Sequence, residues 1–527
     1  MRPSKGSQAQ DECGDQAEVI AFLADPASYA ARPEQVERCE THGALVFLAG
    51  EEAWKIKRAV RFPYMDFSTL DKRKAVSARE VEINRRTAPE IYLGCVPITR
   101  AHDGGLAFGG DGEPLEWAVR MRRFDQSALL SRIAEVGTLP PDLAKGLADA
   151  VYASHRAAPP AAGADGAARF ERLIASVSET LAGVAGTLGA GRLQQLQERV
   201  TAQMRRAAAV LEERAAAGCV RRCHGDLHLN NIVLWHGRPV LFDALEFDDD
   251  LATVDTLYDL AFLLMDLHIR GQRAAANAVL NRWLWRSGAS LDLRGLRALP
   301  LFLGLRSTIR AMVTAERAEQ EMGEAQARDR DEAGRYLDAA LAYLAPPAAQ
   351  LIAVGGLSGT GKSTLARALA PWIGPAPGAV HLRSDLERKS LLGVDETSRL
   401  GAEAYTKAAS EEIYAILYEK MRHVLAAGHA SIVDAVFARP GERAEIERVA
   451  ANLGVPFRGL WLEAAPDALL ARVAGRTGDA SDATPDVVRQ QLAYETGAFS
   501  PGWSRVDAGA SPASTVKEAR EALGQVA

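Results

Sequence analysis

The 527-residue chain is short of cysteine, of long apolar runs and of excess positive charge, and each shortage removes a class of protein. Its five cysteines, at positions 13, 39, 95, 219 and 223, are odd in number and thinly spread. That excludes the dense disulfide framework of small secreted domains and points to a reducing cytoplasm. Cys219 and Cys223 flank Arg221 and Arg222 without the spacing, or the second pair, of a zinc knuckle, so both read as structural. No window approaches about 18 consecutive apolar residues, and the polar start holds no apolar signal-peptide core. Neither a signal peptide nor a membrane partner is therefore expected. Lys and Arg number 62 against 68 Asp and Glu, a formal net charge of −6, which disfavours nucleic acid while leaving room for a local basic groove. No internal repeat relates the two halves.

What is present is ordinary globular material, 48% hydrophobic and 25% charged. At about 100–200 residues per domain, the length suggests about three units. Residues 1–16, rich in Ser, Gln, Asp and Gly, read as a disordered start. The best boundary is Ala345-Pro346-Pro347-Ala348-Ala349, where adjacent prolines stop a helix and a fresh apolar strand follows. The expected organisation is a domain over 17–345, a linker at 346–350 and a second domain over 351–527. Within the first, a small lobe reaches about residue 121 and an alanine-rich helical lobe follows.

The first domain is organised around His224-Gly225-Asp226-Leu227-His228-Leu229-Asn230-Asn231. Its H-x-D-x-x-x-x-N spacing is that of a kinase catalytic loop, with Asp226 as the base for an acceptor hydroxyl and Asn231 as a metal ligand. Asp243, after the apolar run Val240-Leu241-Phe242, stands where a second metal ligand belongs. Upstream, Ala44 to Arg58 reads as two strands around Gly50-Glu51-Glu52. Ala53, Lys55 and Lys57 share one strand face, and a helix from about Lys72 to Arg86 carries Glu80 and Glu82. A strand lysine paired with a helix glutamate positions nucleotide phosphates. Lys55 with Glu80 is favoured, because Ala53 leaves room for an adenine; Lys57 and Glu82 remain alternatives. Glu116 to Met121 is expected to be the last small-lobe strand. Helices are expected over about 169–185 and 192–216, and again from Asp255, whose early Asp braces the catalytic loop.

The second domain opens with the strand Leu351-Ile352-Ala353-Val354 and then Gly356-Leu357-Ser358-Gly359-Thr360-Gly361-Lys362-Ser363-Thr364, a G-x-x-x-x-G-K-[ST] loop in its required strand-to-helix context. Small residues let backbone N–H groups surround phosphates at a helix N-terminus, Lys362 reaches the β- and γ-phosphates, and Ser363 binds Mg²⁺. Gly356, Gly359, Gly361 and Thr364 complete the cradle. A second strand, Val380 to Asp385, ends in a candidate base, Asp385, with Arg388 one turn on to hold an anionic substrate. Ser431-Ile432-Val433-Asp434 is a third strand, its Asp434 a metal-shell residue. Strands are also expected at 458–462 and 503–506. Arg472 and Arg476 read as a lid that closes over the transferring phosphoryl.

On these residues the first domain resembles the aminoglycoside phosphotransferase superfamily, through His224 to His228, Asn231 and Asp243. The second resembles small P-loop kinases of the AAA type, including polynucleotide kinase, gluconate kinase and zeta-toxin-like enzymes, through Gly356 to Thr364, Ser384-Asp385, Arg388 and Arg472/Arg476. Together they resemble bacterial fusions of an aminoglycoside phosphotransferase-like domain with a P-loop ATP-binding domain. The resemblance implies an α+β protein-kinase-like bilobal fold followed by an α/β P-loop domain with a parallel sheet, and ATP with Mg²⁺ as cofactors. Asp243 is followed by Ala244 where that superfamily carries an aromatic residue, and no Gly-rich loop lies near Thr41-His42-Gly43. Asp248, Asp249 and Asp250 serve equally as a grip for a cationic acceptor or as a structural turn. The expectation is a phosphotransferase moving the ATP γ-phosphoryl at two sites to small hydroxyl-bearing acceptors. Its rivals are a nucleotide-sensing regulatory protein and, for the second domain, a 5′-hydroxyl polynucleotide kinase.

Overall fold

Apolar residues two apart along Ala44 to Lys57 give one sheet two faces to bury. In the computed structural model, which describes residues 16–62, 65–102, 104–475 and 480–524, β1 (Val36–Glu40), β2 (Ala44–Ala49), β3 (Glu52–Lys57), β4 (Tyr92–Arg100), β5 (Leu106–Phe108) and β6 (Pro114–Arg122) form one antiparallel sheet. Their order is β1-β2-β3-β6-β4-β5. Leu45, Phe47, Trp54 and Ile56 pack on Val19, Leu23 and Tyr29. Leu48, Ala53, Val119 and Met121 face Val81, Val233, Val240 and Phe242. Helix α1 (Leu70–Asn84) starts two residues before its expected position, because Thr69 caps it by accepting from Lys72 N at 3.4 Å. The catalytic loop leads into the hairpin β7 (Ile232–Trp235) and β8 (Arg238–Leu241), while α2 (Pro141–Ala157) and α3 (Thr256–Ile269) meet through His155 and Asp259.

By contacts the chain forms two units, Met1–Ala162 with Gly218–Leu263, and Gly163–Ala217 with Leu264–Ala527. The first holds the sheet and the catalytic loop. The second holds the long helices Ala167–Gly183, Ala190–Ala216, Leu299–Gln320 and Gly323–Leu344 and the whole P-loop sheet. That sheet is β9 (Leu351–Gly356), β10 (Val380–Arg383), β11 (Ser431–Asp434), β12 (Phe457–Glu463) and β13 (Trp503–Asp507), all parallel, in the order β10-β11-β9-β12-β13. Ile352, Val354, Ile432, Leu460 and Val506 bury against Leu365 and Leu369 of the helix after the P-loop.

One helix of the second unit has an unexpected task. The helix α4 (Arg273–Ser287) covers the exposed edge of β10: Asn277 and Asn281 Nδ2 donate to Ala379 O at 3.0 and 3.2 Å, and Asn281 Oδ1 accepts from His381 N at 2.6 Å. The carboxamides take the place of a neighbouring strand, satisfying edge groups that otherwise invite pairing with another chain. Arg282 adds an ion pair to Glu396 at 2.8 Å. Among the described residues no helix is long and apolar enough to cross a membrane, and no disulfide joins Cys39, Cys95, Cys219 or Cys223.

Candidate active sites

The period of β3 puts Lys55 and Lys57 on the same face, and the structure uses both. Glu80, fully buried on α1, receives Lys55 Nζ at 2.9 Å on one oxygen and Lys57 Nζ at 2.6 Å on the other. Lys55 also reaches Asp243 Oδ1 at 2.6 Å, and Lys57 pairs with Glu246. Glu82 is exposed and pairs with Arg79 on its own helix and with Arg86 just past the helix end. Burial opposes the charge on Glu80, but the two lysines outweigh it and draw its pKa down to about 2. Burial likewise works against Lys55, and Asp243 and Glu80 hold it protonated well above its usual range. Burial raises Glu246. Asp243 has φ +58, a left-handed conformation that costs a non-glycine residue on the order of 1–3 kcal/mol, and its N–H is held by the Tyr92 hydroxyl at 3.1 Å.

The catalytic loop is braced from beneath and open at its acid. Asp259 on α3 accepts from Gly225 N at 2.8 Å on Oδ1 and from His224 N at 3.4 Å on Oδ2, and His155 Nε2 lies 3.0 Å from that same Oδ2. The early Asp expected to brace the loop is Asp259, in the first turn of α3. Gly225 has φ +83, and a Cβ there would meet Ala252 and Leu245 within 3.2 Å, so only glycine lets the loop pass. Asn231 Nδ2 donates to Asp226 Oδ2 at 2.9 Å and to Asp226 O at 3.0 Å, which commits the amide nitrogen and leaves Oδ1 as the acceptor end of the side chain. Asp226 itself is 42% exposed while the groups orienting it are largely buried. The acidic run downstream is a turn: Asp248 caps a short helix by accepting from Asp250 N and Leu251 N, and Asp249 is bound by Arg79 and Arg222.

In the second unit, Gly356, Gly359 and Gly361 all have positive φ, and a Cβ on Gly356 or Gly359 would meet a backbone carbonyl at 2.8 Å. The loop delivers Lys362, Ser363 and Thr364 to the first turn of α5 (Lys362–Leu369). Lys362 Nζ donates to Leu357 O at 3.0 Å, and Gln491 holds Ser358 N at 2.7 Å. Ser363 Oγ donates to Asp434 Oδ1 at 3.1 Å, while His381 Nε2 lies 2.6 Å from Asp434 Oδ2. Burial opposes the Asp434 charge, but His381, Arg383 and Lys362 hold it below the usual carboxylate range. Burial and the Asp434 charge push Asp385 up.

Asp385 and Arg388 lie on α6 (Ser384–Leu391) at the end of β10. Arg388 is buried, donates to Ala404 O and stacks over Tyr405 at 4.6 Å. Beside it, buried Lys389 and Tyr405 both bind Asp482, at 2.7 Å each. Arg472, on α7 (Pro466–Ala474), donates to Ala508 O at 2.7 Å and Gly509 O at 3.4 Å, so its guanidinium is engaged by the loop after β13. Arg476 lies outside the described residues. Glu246, Tyr92, His381 and Asp482 had no role assigned from the sequence, although Glu246 lies three residues after Asp243 and His381 within an expected strand; the fold gives them their partners.

These two constellations define a chain of the kinase and phosphotransferase class, with a kinase-like α+β domain followed by an α/β P-loop domain. A model of the phosphotransferase enzyme family matches residues 65–302, and a model of an AAA domain matches residues 351–497. An uncharacterized protein of Mycobacterium tuberculosis is 30% identical over 470 residues, covering 87% of this chain and 90% of that protein. The chain belongs to the same family, in which a phosphotransferase domain is fused to a P-loop kinase-like domain. The adenylyl-sulfate kinase of Myxococcus xanthus is 30% identical over 147 residues, 28% of this chain and 71% of that enzyme. Among solved structures, a gluconokinase from Sinorhizobium meliloti is 22% identical, covering 33% of this chain and 92% of its own, with a TM-score of 0.25. The GDP complex of aminoglycoside 2′-phosphotransferase-IIIa is 13% identical, covering 61% and 99%, with a TM-score of 0.37.

Proposed function

We propose that the chain is a kinase with two phosphoryl-transfer sites, each moving the γ-phosphoryl of ATP to a hydroxyl of a small-molecule acceptor. The observation that carries the reading is Asp226, solvent-accessible yet oriented by Asn231 and His228 (3.3 Å from its carboxylate), in the unit that also holds the Lys55–Glu80 and Lys55–Asp243 pairs. A protein that only senses nucleotide has no use for an accessible, oriented base. At the first site Asp226 takes the acceptor proton, Lys55, held by Glu80, positions phosphate, and Asn231 with Asp243 would hold Mg²⁺. At the second, Lys362 meets the phosphates, Ser363 and Asp434 would hold Mg²⁺, Asp385 is the base and Arg388 holds an anionic acceptor. Both ligand sets are hard oxygen donors, the chemistry Mg²⁺ prefers. When bound, the ion neutralises charge on the transferring phosphoryl. The name of the adenylyl-sulfate kinase relative adds an anionic acceptor to those worth offering to the second site.

The test is γ-labelled ATP with the intact chain and a panel of amino alcohols, sugar acids and adenylyl sulfate. An acceptor whose labelling is lost in Asp226→Ala but kept in Asp385→Ala belongs to the first site, and the converse pattern assigns the second. Tight ATP binding with no acceptor-dependent labelling would instead favour a nucleotide sensor. A pH dependence follows from Asp385, which must be ionised to act and whose pKa is raised. For acceptors of the second site, kcat/KM should fall with acid through a pH above the ordinary aspartate value of about 3.9. Rate–pH profiles at saturating ATP check this; an acid limb in the ordinary carboxylate range would exclude Asp385 as base.

A further inference from the structure

After β8 the chain runs through Phe242, Asp243, Ala244 and Leu245 outside any helix or strand, so each backbone N–H needs a partner of its own. All four have one, from two sources. Phe242 N donates to Asn231 O at 3.0 Å and Leu245 N to His224 O at 2.9 Å, both carbonyls of the catalytic loop. The two N–H groups between them go to side chains of the small lobe. Asp243 N donates to the Tyr92 hydroxyl at 3.1 Å, and Ala244 N to Asn84 Oδ1 at 2.8 Å.

Both acceptors are themselves fixed. Asn84, the last residue of α1, is fully buried and commits its Nδ2 to Glu80 O at 3.0 Å, which leaves Oδ1 for Ala244. Tyr92, the first residue of β4, is 1% exposed and lies in one apolar cluster with Val240 and Phe242. The turn between them is short and bonded: Ala88 N donates to Asn84 O at 2.8 Å, and Tyr92 N to Ala88 O at 3.2 Å. A left-handed aspartate such as Asp243, with φ +58, persists only where its surroundings over-determine it. Two consecutive N–H groups held from outside the loop do so. We infer that Asn84 and Tyr92 are positioning residues of the first site: they fix the turn that presents the Asp243 carboxylate, and with it the affinity of that carboxylate for Mg²⁺. The inference rests on the reading of Asp243 as a metal ligand. It makes α1 a common ruler for both charges of the site, since Glu80 binds Lys55 and Asn84, one turn on, binds the residue after Asp243.

The probe is Mn²⁺, whose free fraction is counted by electron spin resonance, with a non-hydrolysable ATP analogue on the intact chain carrying Lys362→Ala to weaken the second site. Binding that Asp243→Ala removes belongs to the first site. Tyr92→Phe and Asn84→Leu keep nearly the same shape and delete the acceptor, so each should weaken that binding by about 10–100-fold, the usual worth of a group that orients a metal ligand. Affinity for the analogue in EDTA, where no metal takes part, should stay as in the parent. Should Asn84→Leu fail to fold, Tyr92→Phe, which deletes a single oxygen, decides alone. Mn²⁺ binding that falls in Asp243→Ala but holds in the folded positioning variants overturns the inference and leaves the metal reading standing. Equal losses of Mn²⁺ and of metal-free analogue would make the two side chains general supports and overturn it as well. Mn²⁺ binding indifferent to Asp243→Ala removes Asp243 from the metal site, and the inference with it.

Discussion

Asp226→Ala should slow acceptor-dependent transfer at the first site by about 10²–10⁴-fold, the usual worth of a positioned general base, while ATP binding changes little. The separation follows from contacts: Asp226 meets Asn231 and His228, whereas Lys55 is held by Glu80 and Asp243. Asp226→Asn refines the result. It keeps an oxygen for Asn231 Nδ2 and loses only the base, so a rate as low as that of the alanine variant assigns the loss to proton transfer. A rate near the parent's would make the carboxylate a mere anchor for Asn231. Single-turnover kinetics with an acceptor from the labelling panel, beside nucleotide binding by calorimetry, distinguish these outcomes.

Glu80→Ala should destabilise the first unit by about 3–5 kcal/mol, because it strands charges that are already out of water. Lys57 is 3% exposed and Lys55 12%, and each loses one of its two carboxylate partners. Hydrogen exchange in the segments 44–57 and 70–84 reports this unit apart from the rest. Glu82→Ala, two residues on and on the opposite side of the same helix, removes only exposed pairs and should move the same segments by no more than about 0.5 kcal/mol. Adding Lys57→Met to Glu80→Ala should return part of the loss, since a buried lysine is then no longer short of a partner. Equal effects of Glu80→Ala and Glu82→Ala would remove Glu80 from its place at the centre of the charge cluster.

Most of the fold was legible because its signals are local. The P-loop strands lie within a few residues of their expected positions, because each centres on short apolar stretches such as Leu351 to Val354 or Ile432-Val433. The catalytic loop is a contiguous motif. The choice between Lys55 and Lys57 was not legible, since a period of two puts both on one face and only Glu246, far off in sequence, gives Lys57 its own partner. Glu80 and Glu82 differ by about 200° around a helix, which hydropathy alone does not orient on a helix this polar. Arg472 looked like a phosphate-facing lid residue because helical position says nothing of the loop after β13 that receives it. Asn277 and Asn281 carry no motif in the sequence. Their role depends on an edge strand about 100 residues later, and no local pattern carries that information.

That strand edge has a consequence for how the protein is divided. The covalent seam at Pro346-Pro347 and the physical seam do not coincide, since α4, inside the stretch matched by the phosphotransferase model, finishes the sheet that follows the prolines. The two parts are no longer interchangeable cassettes. A gene fragment beginning at Leu351 would encode a protein with one raw side, prone to stack with its own copies, whereas one that also carried the helices from Arg273 onward would keep that side closed. Fusion here comes with dependence: the P-loop sheet completes its edge with a helix borrowed from the stretch before the prolines.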